Sequence, residues 1–285
     1  MSRIAYVNGR YVPHGTAAVH IEDRGYQLAD GVYEVCEVRG GRLVDERRHM
    51  ARLDRSLREL RMARPMPAAA LAIVMRETVR RNRVRDGIVY VQVTRGAAPR
   101  DFPFPPNVTH PTLVITARNQ DPAKLAKLAE QGIAVMTTPD LRWKRVDIKS
   151  VALLPNVLAK QTARDHGARE AWLVDAEGRV TEGGSSNAWI VTDDGALVTH
   201  PLGNDILPGI TRSVVLDVLA AQGLRLEERS FTVEEAYAAR EAFVTSASQI
   251  VMPVVSIDGR PVGEGRPGPI TLHLRRDFHR HAEIG

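Results

Sequence analysis

The chain has a single cysteine, Cys36, among 285 residues. No intramolecular disulfide can form, and the pattern fits a reducing compartment. Aromatic residues are scarce at 5%, which leaves few rings on which nucleic-acid bases could stack. The longest apolar run, Ala68–Met75, has eight residues, far short of the ~20 that a membrane-spanning helix needs. The first residues, Met1 to Gly9, lack the apolar core of a secretory leader. No stretch repeats, and no tract is of low complexity. A soluble, cytoplasmic protein with no membrane partner is the expectation. Lysine is also rare: of 39 basic residues only Lys124, Lys127, Lys144, Lys149 and Lys160 are lysines. Any chemistry that needs a nucleophilic amine has few candidates.

At roughly 150 residues per domain, the length suggests two domains or one large one. The net charge of +5 raises nucleic-acid binding as a minority reading. Its strongest support is the basic stretch in which Arg52, Arg55, Arg58, Arg61 and Arg64 recur. Leu53, Leu57 and Leu60 lie within it at helical spacing, so an amphipathic helix with a solvated basic face explains it.

Periodicity and turn residues predict a mixed α/β or α+β fold, without the steady alternation of a doubly wound sheet. Ile4–Val7 and Arg10–Val12 flank Asn8-Gly9, a tight hairpin signal, and Val32–Arg39 pairs with Arg42–Val44 across Gly40-Gly41. Helices over Glu46–Ala63 and Ala68–Asn82 and strands over Ile88–Thr94 and Thr112–Thr116 follow. The proline-rich segment Ala97–Asn107 reads as a functional or contacting loop. Residues 1–118 form a small first domain, 119–125 a linker and 126–285 a larger second domain. The second half carries helices over Ala123–Glu130, Pro155–His166 and Ser213–Gln222. Its strands are Ala171–Val174, Val180–Glu182, Trp189–Thr192, Phe243–Ser246 and Val251–Ile257, and a basic helix ends the chain.

Gly263-Glu-Gly-Arg-Pro-Gly268 matches a dinucleotide fingerprint, but it sits among prolines with too little chain after it, and it reads as a loop. His273, His279 and His281 lie on a basic helix without thiols, so no metal site is expected. Lys149, in Arg145-Val-Asp-Ile-Lys-Ser150, is expected on a strand, with Asp147 and Lys149 opposite Val146 and Ile148. Glu182 ends a strand and is followed by the glycine- and hydroxyl-rich Gly183-Gly-Ser-Ser-Asn187, whose N–H groups suit an anion. Leu207-Pro-Gly-Ile-Thr-Arg212 opens a helix; its start either binds phosphate or is a helix end capped by Thr211. Thr245-Ser-Ala-Ser248 adds further donors. An amine, an isolated acid and several phosphate-cradling turns together match the needs of pyridoxal phosphate: an aldehyde partner, an acid for the ring nitrogen and donors for the phosphate.

At these residues the sequence resembles the fold type IV pyridoxal-phosphate enzymes, and most closely the D-amino acid aminotransferases. The resemblance rests on Asp23-Arg-Gly-Tyr-Gln-Leu-Ala-Asp-Gly-Val-Tyr-Glu34, His49-Met-Ala-Arg-Leu53 and Val93-Thr-Arg-Gly-Ala-Ala-Pro-Arg100. It continues through Asp147-Ile-Lys-Ser150, Leu158-Ala-Lys-Gln161, Val180-Thr-Glu-Gly183, Leu207–Arg212 and Phe243-Val-Thr-Ser246. It implies a two-domain subunit with pyridoxal 5'-phosphate in the interdomain cleft, and a homodimer. Lys149 would be the Schiff-base lysine and the general base. Glu182 would hold the ring nitrogen protonated, and Arg52 would reach the phosphate, leaving the solvated face. Gly209, Ile210 and Thr211 would bind the phosphate at the helix start, with Ser246 and the Ala247 N–H adding donors. Leu207 would pack on the ring, and Ser185, Ser186 and Asn187 would line its surroundings. The substrate carboxylate would meet Tyr33 and Arg100, the latter on a loop from the partner subunit. Phe102 stands where the family's bacterial form has a histidine.

The implied reaction moves the amino group of a D-amino acid to a 2-oxo acid. Enzymes of the same fold offer two alternatives, a branched-chain L-amino acid aminotransferase and, less closely, an aminodeoxychorismate lyase. The C-terminal Val262–Pro269 keeps the first of these open.

Overall fold

The computed structural model describes residues 3–106 and 110–285, which divide into two compact units. The first comprises residues 1–121, 148–152 and 283–285, and the second 122–147 and 153–282. One division between them falls between Asp121 and Pro122. The five residues around Lys149, assigned from the sequence to the second domain, cluster instead with the first.

In the first unit β1 (Ile4–Val7) and β2 (Arg10–Pro13) form the expected hairpin. Asn8 and Gly9 both take positive φ there, at 44° and 92°, the turn that matches right-handed strand twist. A short helix α1 (Arg24–Leu28) precedes β3 (Gly31–Arg39) and β4 (Arg42–Leu43). Helices α2 (Glu46–Glu59) and α3 (Ala68–Arg81) lead to β5 (Gly87–Thr94) and β6 (Thr112–Asn119). The six strands make an antiparallel sheet in the order β2-β1-β6-β5-β3-β4. Alternation along β3 turns Val32, Cys36 and Val38 inward. They pack with Leu53 and Leu57 of α2 and with Leu71, Met75 and Val79 of α3. Helix α2 is shorter than its apolar pattern suggests, because Arg61 adopts φ 52° and the Met62 N–H turns back to the Leu57 carbonyl.

The second unit runs α4 (Pro122–Gln131), β7 (Ile133–Pro139), α5 (Leu154–Asp165), β8 (Glu170–Val174), β9 (Arg179–Gly183), β10 (Asn187–Val191) and β11 (Leu197–Thr199). Helix α6 (Ile210–Gln222), β12 (Leu226–Glu228), β13 (Phe231–Thr232) and α7 (Val233–Tyr237) follow. The chain continues through β14 (Glu241–Ser246), β15 (Ile250–Ile257), β16 (Arg260–Pro261) and α8 (Pro269–His281). The main sheet has the order β12-β11-β10-β14-β15-β7-β8-β9-β13. Both of its faces are buried, so β10 reads as a continuous apolar run rather than an alternating one. Trp189 and Phe243 stack on one face beneath Val214, Val218, Leu274 and Phe278 of α6 and α8. On the other face Ile190, Val244 and Met252 share a core with Trp172, Val180 and Phe231 from the far end of the sheet, so the sheet curls around that core.

Glu241 fastens α8. Its carboxylate accepts from the Ile270 N–H (3.1 Å), the Thr271 N–H (2.8 Å) and the Thr271 hydroxyl (2.8 Å) at the helix start, where a negative charge is favoured. Gly268 passes so close that an added Cβ would lie 2.0 Å from this carboxyl. The fingerprint-like Gly263–Gly268 is a loop ending at that contact.

Candidate active site

Helix α2 of the first unit buries His49, Arg52, Leu53, Ser56 and Leu57, one stripe at positions i, i+3, i+4, i+7 and i+8. Strand β3 directs Glu34 to the same interior as Val32 and Cys36. The Arg52 guanidinium therefore donates to both Glu34 oxygens, from Nε at 2.7 Å and Nη2 at 2.8 Å, and His49 Nδ1 lies 2.8 Å from Oε2. Burial alone would raise the Glu34 pKa, but the charge and hydrogen bonds of Arg52, aided by His49, outweigh it and hold the carboxyl well below its usual range. For His49 burial dominates and lowers the pKa despite Glu34, so the imidazole is neutral at pH 7. Arg52 is 8% exposed, and the exposed basic face of α2 is left to Arg47 and Arg58.

Ser56, one turn further along α2, receives the Lys149 N–H on its hydroxyl at 3.3 Å. The Lys149 carbonyl accepts from the Tyr33 N–H at 2.9 Å, and the Val151 N–H donates to Gly31 at 3.0 Å. Lys149 is not on a strand: only Ser150 bridges to Val32, and the Ser150 N–H turns back to the Ile148 carbonyl at 2.7 Å. The expected alternation also fails, because Asp147 is buried with Val146 and Ile148, its carboxylate held by Arg145 at 2.9 and 3.1 Å. Lys149 Nζ lies 4.2 Å from the centre of the Tyr33 ring, so two of the expected site residues meet within this unit. Tyr33 in turn packs against Tyr90 at 5.6 Å.

Arg100 is exposed on the loop after β5, with Phe102 beside its guanidinium, 5.6 Å from ring centre to Cζ. Phe102 is 77% exposed. Asn107, the last residue of the expected loop, lies outside the described residues.

In the second unit Glu182 sits near the end of β9 and is surrounded by donors. Arg142 Nη1 binds Oε1. Asn187 Nδ2 at 2.9 Å and the Leu207 N–H at 3.1 Å reach Oε2. Asp140 clasps the other side of Arg142 at 2.7 and 2.9 Å and accepts the Thr181 hydroxyl at 2.8 Å. Burial disfavours the charged form of Asp140, but its bonds to Arg142 win and lower its pKa. Asn187 also donates to the Leu207 carbonyl at 2.9 Å, tying β10 to the segment before α6.

Helix α6 begins at Gly209 with no side-chain cap; Thr211 does not serve as one. A Cβ on Gly209 would lie 2.0 Å from Asn187 Oδ1, so only glycine brings the helix start this close to β10. The hydroxyls of Ser185 and Ser186 donate to the buried Glu170 at 2.8 and 3.1 Å, and Lys160 pairs with the same carboxylate at 2.9 Å. Ser246 ends β14 and Ala247 follows it in the next turn, both half-buried.

A family model described as amino-transferase class IV matches residues 31–257. The chain belongs to this family. Among curated relatives, the D-alanine aminotransferase of Bacillus licheniformis is 42% identical over 268 residues, covering 94% of this chain and 93% of that protein. The D-alanine aminotransferase of Staphylococcus haemolyticus is 40% identical over 278 residues, covering 98% and 97%. Among solved structures, the branched-chain amino acid aminotransferase of Escherichia coli superposes with a TM-score of 0.89 at 27% identity, covering 98% of this chain and 94% of that one.

Sequence reasoning passed over several groups that take part in these two clusters, one in each unit of this class IV chain. Glu34 was legible: strand alternation places it on the apolar face, where a lone carboxylate needs a cation. His49 and Ser56 follow from the same helical stripe as Arg52. Arg142 carried no signal, since it lies in an irregular segment with no period to read. No cluster of metal-ligating side chains occurs among the described residues, and no helix there is long and apolar enough to cross a membrane.

Proposed function

We propose that this class IV aminotransferase moves the amino group of a D-amino acid to a 2-oxo acid, using pyridoxal 5'-phosphate held by Lys149. The observation that carries the reading is the placement of Lys149. Its backbone is clamped between β3 and Ser56, and its amine lies on the face of Tyr33. The curated relatives named D-alanine aminotransferase support the choice of substrate.

The residues present suit the cofactor. The start of α6 has no side-chain cap, so its N–H groups offer an anion site. Ile210 and Thr211 would offer those N–H groups to the phosphate, Arg52 would add its charge, and Ser246 with the Ala247 N–H would add donors. Glu182, fixed by Arg142, Asn187 and Leu207, would be the acid for the ring nitrogen. Leu207 would pack on the ring, and Ser185, Ser186 and Asn187 would line its surroundings. When bound, pyridoxal phosphate supplies an aldehyde for the amino group and a ring that takes up the electrons released at Cα.

The chain's own residues do the rest. Lys149 Nζ would take the proton from the substrate Cα and later return it as a general acid. Ser56 and the Tyr33 N–H hold its backbone while the side chain moves. Tyr33 and Arg100 receive the substrate carboxylate, Arg100 through its guanidinium fork. A homodimer in which the partner subunit supplies the Arg100 loop belongs to the same reading. So does a cytoplasmic location, in keeping with the buried free thiol of Cys36.

The test is a half-reaction. Protein loaded with the cofactor is mixed with D-alanine and, separately, with L-leucine, and the visible band of the lysine-bound cofactor is followed. Bleaching by D-alanine alone is expected. Bleaching by L-leucine alone would move the protein to the branched-chain activity named for its structural neighbour. A protein that stays colourless with added cofactor would overturn the reading altogether.

A further inference from the structure

Arg24 is almost wholly buried, 3% exposed, at the start of α1, and has no part in the chemistry described so far. Its Nη1 donates to the Asp101 carbonyl at 2.6 Å and its Nη2 to the Phe102 carbonyl at 3.3 Å. Its Nε donates to Asp30 at 2.8 Å. One guanidinium thus spans two consecutive carbonyls of the otherwise exposed loop that carries Arg100. Asp30 is shared: Arg95 donates to the same carboxylate at 2.7 and 3.0 Å and to the Leu60 carbonyl at 2.7 Å. The Arg95 guanidinium also lies 3.7 Å from the centre of the Phe104 ring, a cation–π contact further along the loop. The loop is therefore held at residues 101, 102 and 104 by two arginines bound to one carboxylate. Its proline-rich sequence cannot hold itself with regular backbone hydrogen bonds.

We propose that Arg24 is a positioning residue for Arg100: by fixing the carbonyls of Asp101 and Phe102, it sets where the Arg100 guanidinium is presented to the substrate carboxylate. The inference rests on the reading of Arg100 given above. Arg100 is joined directly to the first of the two fixed residues, and Phe102, beside the Arg100 guanidinium, is the second. The fork is what matters, since a lysine at 24 could keep the ion pair with Asp30 but not reach both carbonyls.

The experiment compares cofactor-loaded wild type with Arg24→Lys, Arg24→Gln, Arg100→Ala and Arg24→Lys/Arg100→Ala. Asp30 keeps Arg95 in all of them, so no buried carboxylate is left without a cation. Single-turnover bleaching of the visible band at graded D-alanine gives a half-saturation concentration and a limiting rate for each. Arg24→Lys and Arg24→Gln are expected to raise the half-saturation concentration about tenfold, the scale of one lost charge-assisted hydrogen bond. The limiting rate, the visible spectrum and the melting temperature should stay near those of wild type. On the Arg100→Ala background the change at 24 should add nothing. If Arg100→Ala weakens D-alanine binding but Arg24→Lys does not, or if the two effects multiply, the positioning role is wrong while the reading of Arg100 stands. If Arg100→Ala leaves half-saturation unchanged, that reading fails and takes the inference with it. A fall in limiting rate or melting temperature without a change in half-saturation would show that Arg24 merely supports the fold.

Discussion

The Glu34–Arg52 pair permits a prediction whose size follows from its geometry. The two side chains are 0% and 7% exposed, with a contact of 2.7 Å. At an effective dielectric of about 20, unit charges some 3 Å apart attract by about 5 to 6 kcal/mol. Removing one member leaves the other buried and uncompensated, at a cost of about 3 to 5 kcal/mol. Arg52→Met leaves Glu34 with only the His49 imidazole, and Glu34→Leu leaves the guanidinium with neither carboxylate oxygen. With a urea m-value of about 2 kcal/mol/M, each single change should lower the unfolding midpoint by about 1.5 to 2.5 M. The double variant Glu34→Leu/Arg52→Met replaces the pair with apolar atoms of similar bulk, and most of the loss should be recovered. Unfolding followed by circular dichroism on cofactor-free protein gives the four corners of the cycle, and equilibrium titration with pyridoxal phosphate gives a second readout. Stability should return in the double variant while phosphate-dependent affinity does not, because Arg52 is absent from both. Single changes costing under about 1 kcal/mol, the scale of an exposed ion pair, would refute the picture of a desolvated charge pair.

Other consequences can be checked separately. Lys149→Ala should abolish the visible band of the cofactor-loaded protein and lower turnover by several orders of magnitude, whereas Lys144→Ala should do neither. Arg142→Met removes the guanidinium behind Glu182, and turnover should fall roughly tenfold or more, equivalent to about 1.4 kcal/mol of transition-state stabilisation, with Lys149 still labelled by cofactor. Glu241→Ala takes away three acceptor contacts at the start of α8; stability should drop by about 3 kcal/mol or more, and hydrogen exchange should accelerate first over Pro269–His281. Burial holds the His49 imidazole below its ordinary pKa. Folding therefore disfavours that proton, and the associated stability, complete above about pH 6.5, is lost as pH falls through the lower folded value. Glu34 adds a second loss of the same sign below about pH 4.3. His49→Asn should remove the loss that begins below about pH 6.5, and it should shift the acid limb slightly upward, because His49 helps to hold the Glu34 pKa down.

Much of the architecture was readable locally. The Asn8-Gly9 hairpin, the alternation along β3 and the stripe on α2 are short-range patterns, and each maps onto its element within a few residues. Strand β7 is different: it lies between β15 and β8 in parallel pairing. Its partner Val254 is distant in sequence, so nothing nearby marks it. Lys149 was singled out among five lysines, and its expected role came from the family resemblance; its strand assignment fails because the segment owes its shape to Ser56 and to the backbone of β3. Arg52 illustrates a further limit. A charge repeating every three residues looks solvated until a carboxylate is known to face it from another element. Arg142 and Arg24 act through carbonyls and carboxylates remote in sequence, which no window of neighbouring residues reveals.

The grouping of residues 148–152 with the first unit bears on how such chains can be recombined. A graft that exchanges residues 1–121 for a homologue's would import β3, Tyr33 and Ser56 but retain the recipient's Lys149 segment. Lys149 would then be seated by a stranger's strand and helix. The same holds for residues 283–285, remote in the chain but grouped with the first unit. Neither half is a portable module, so chimaeras should work only when three separate stretches of the chain are exchanged together.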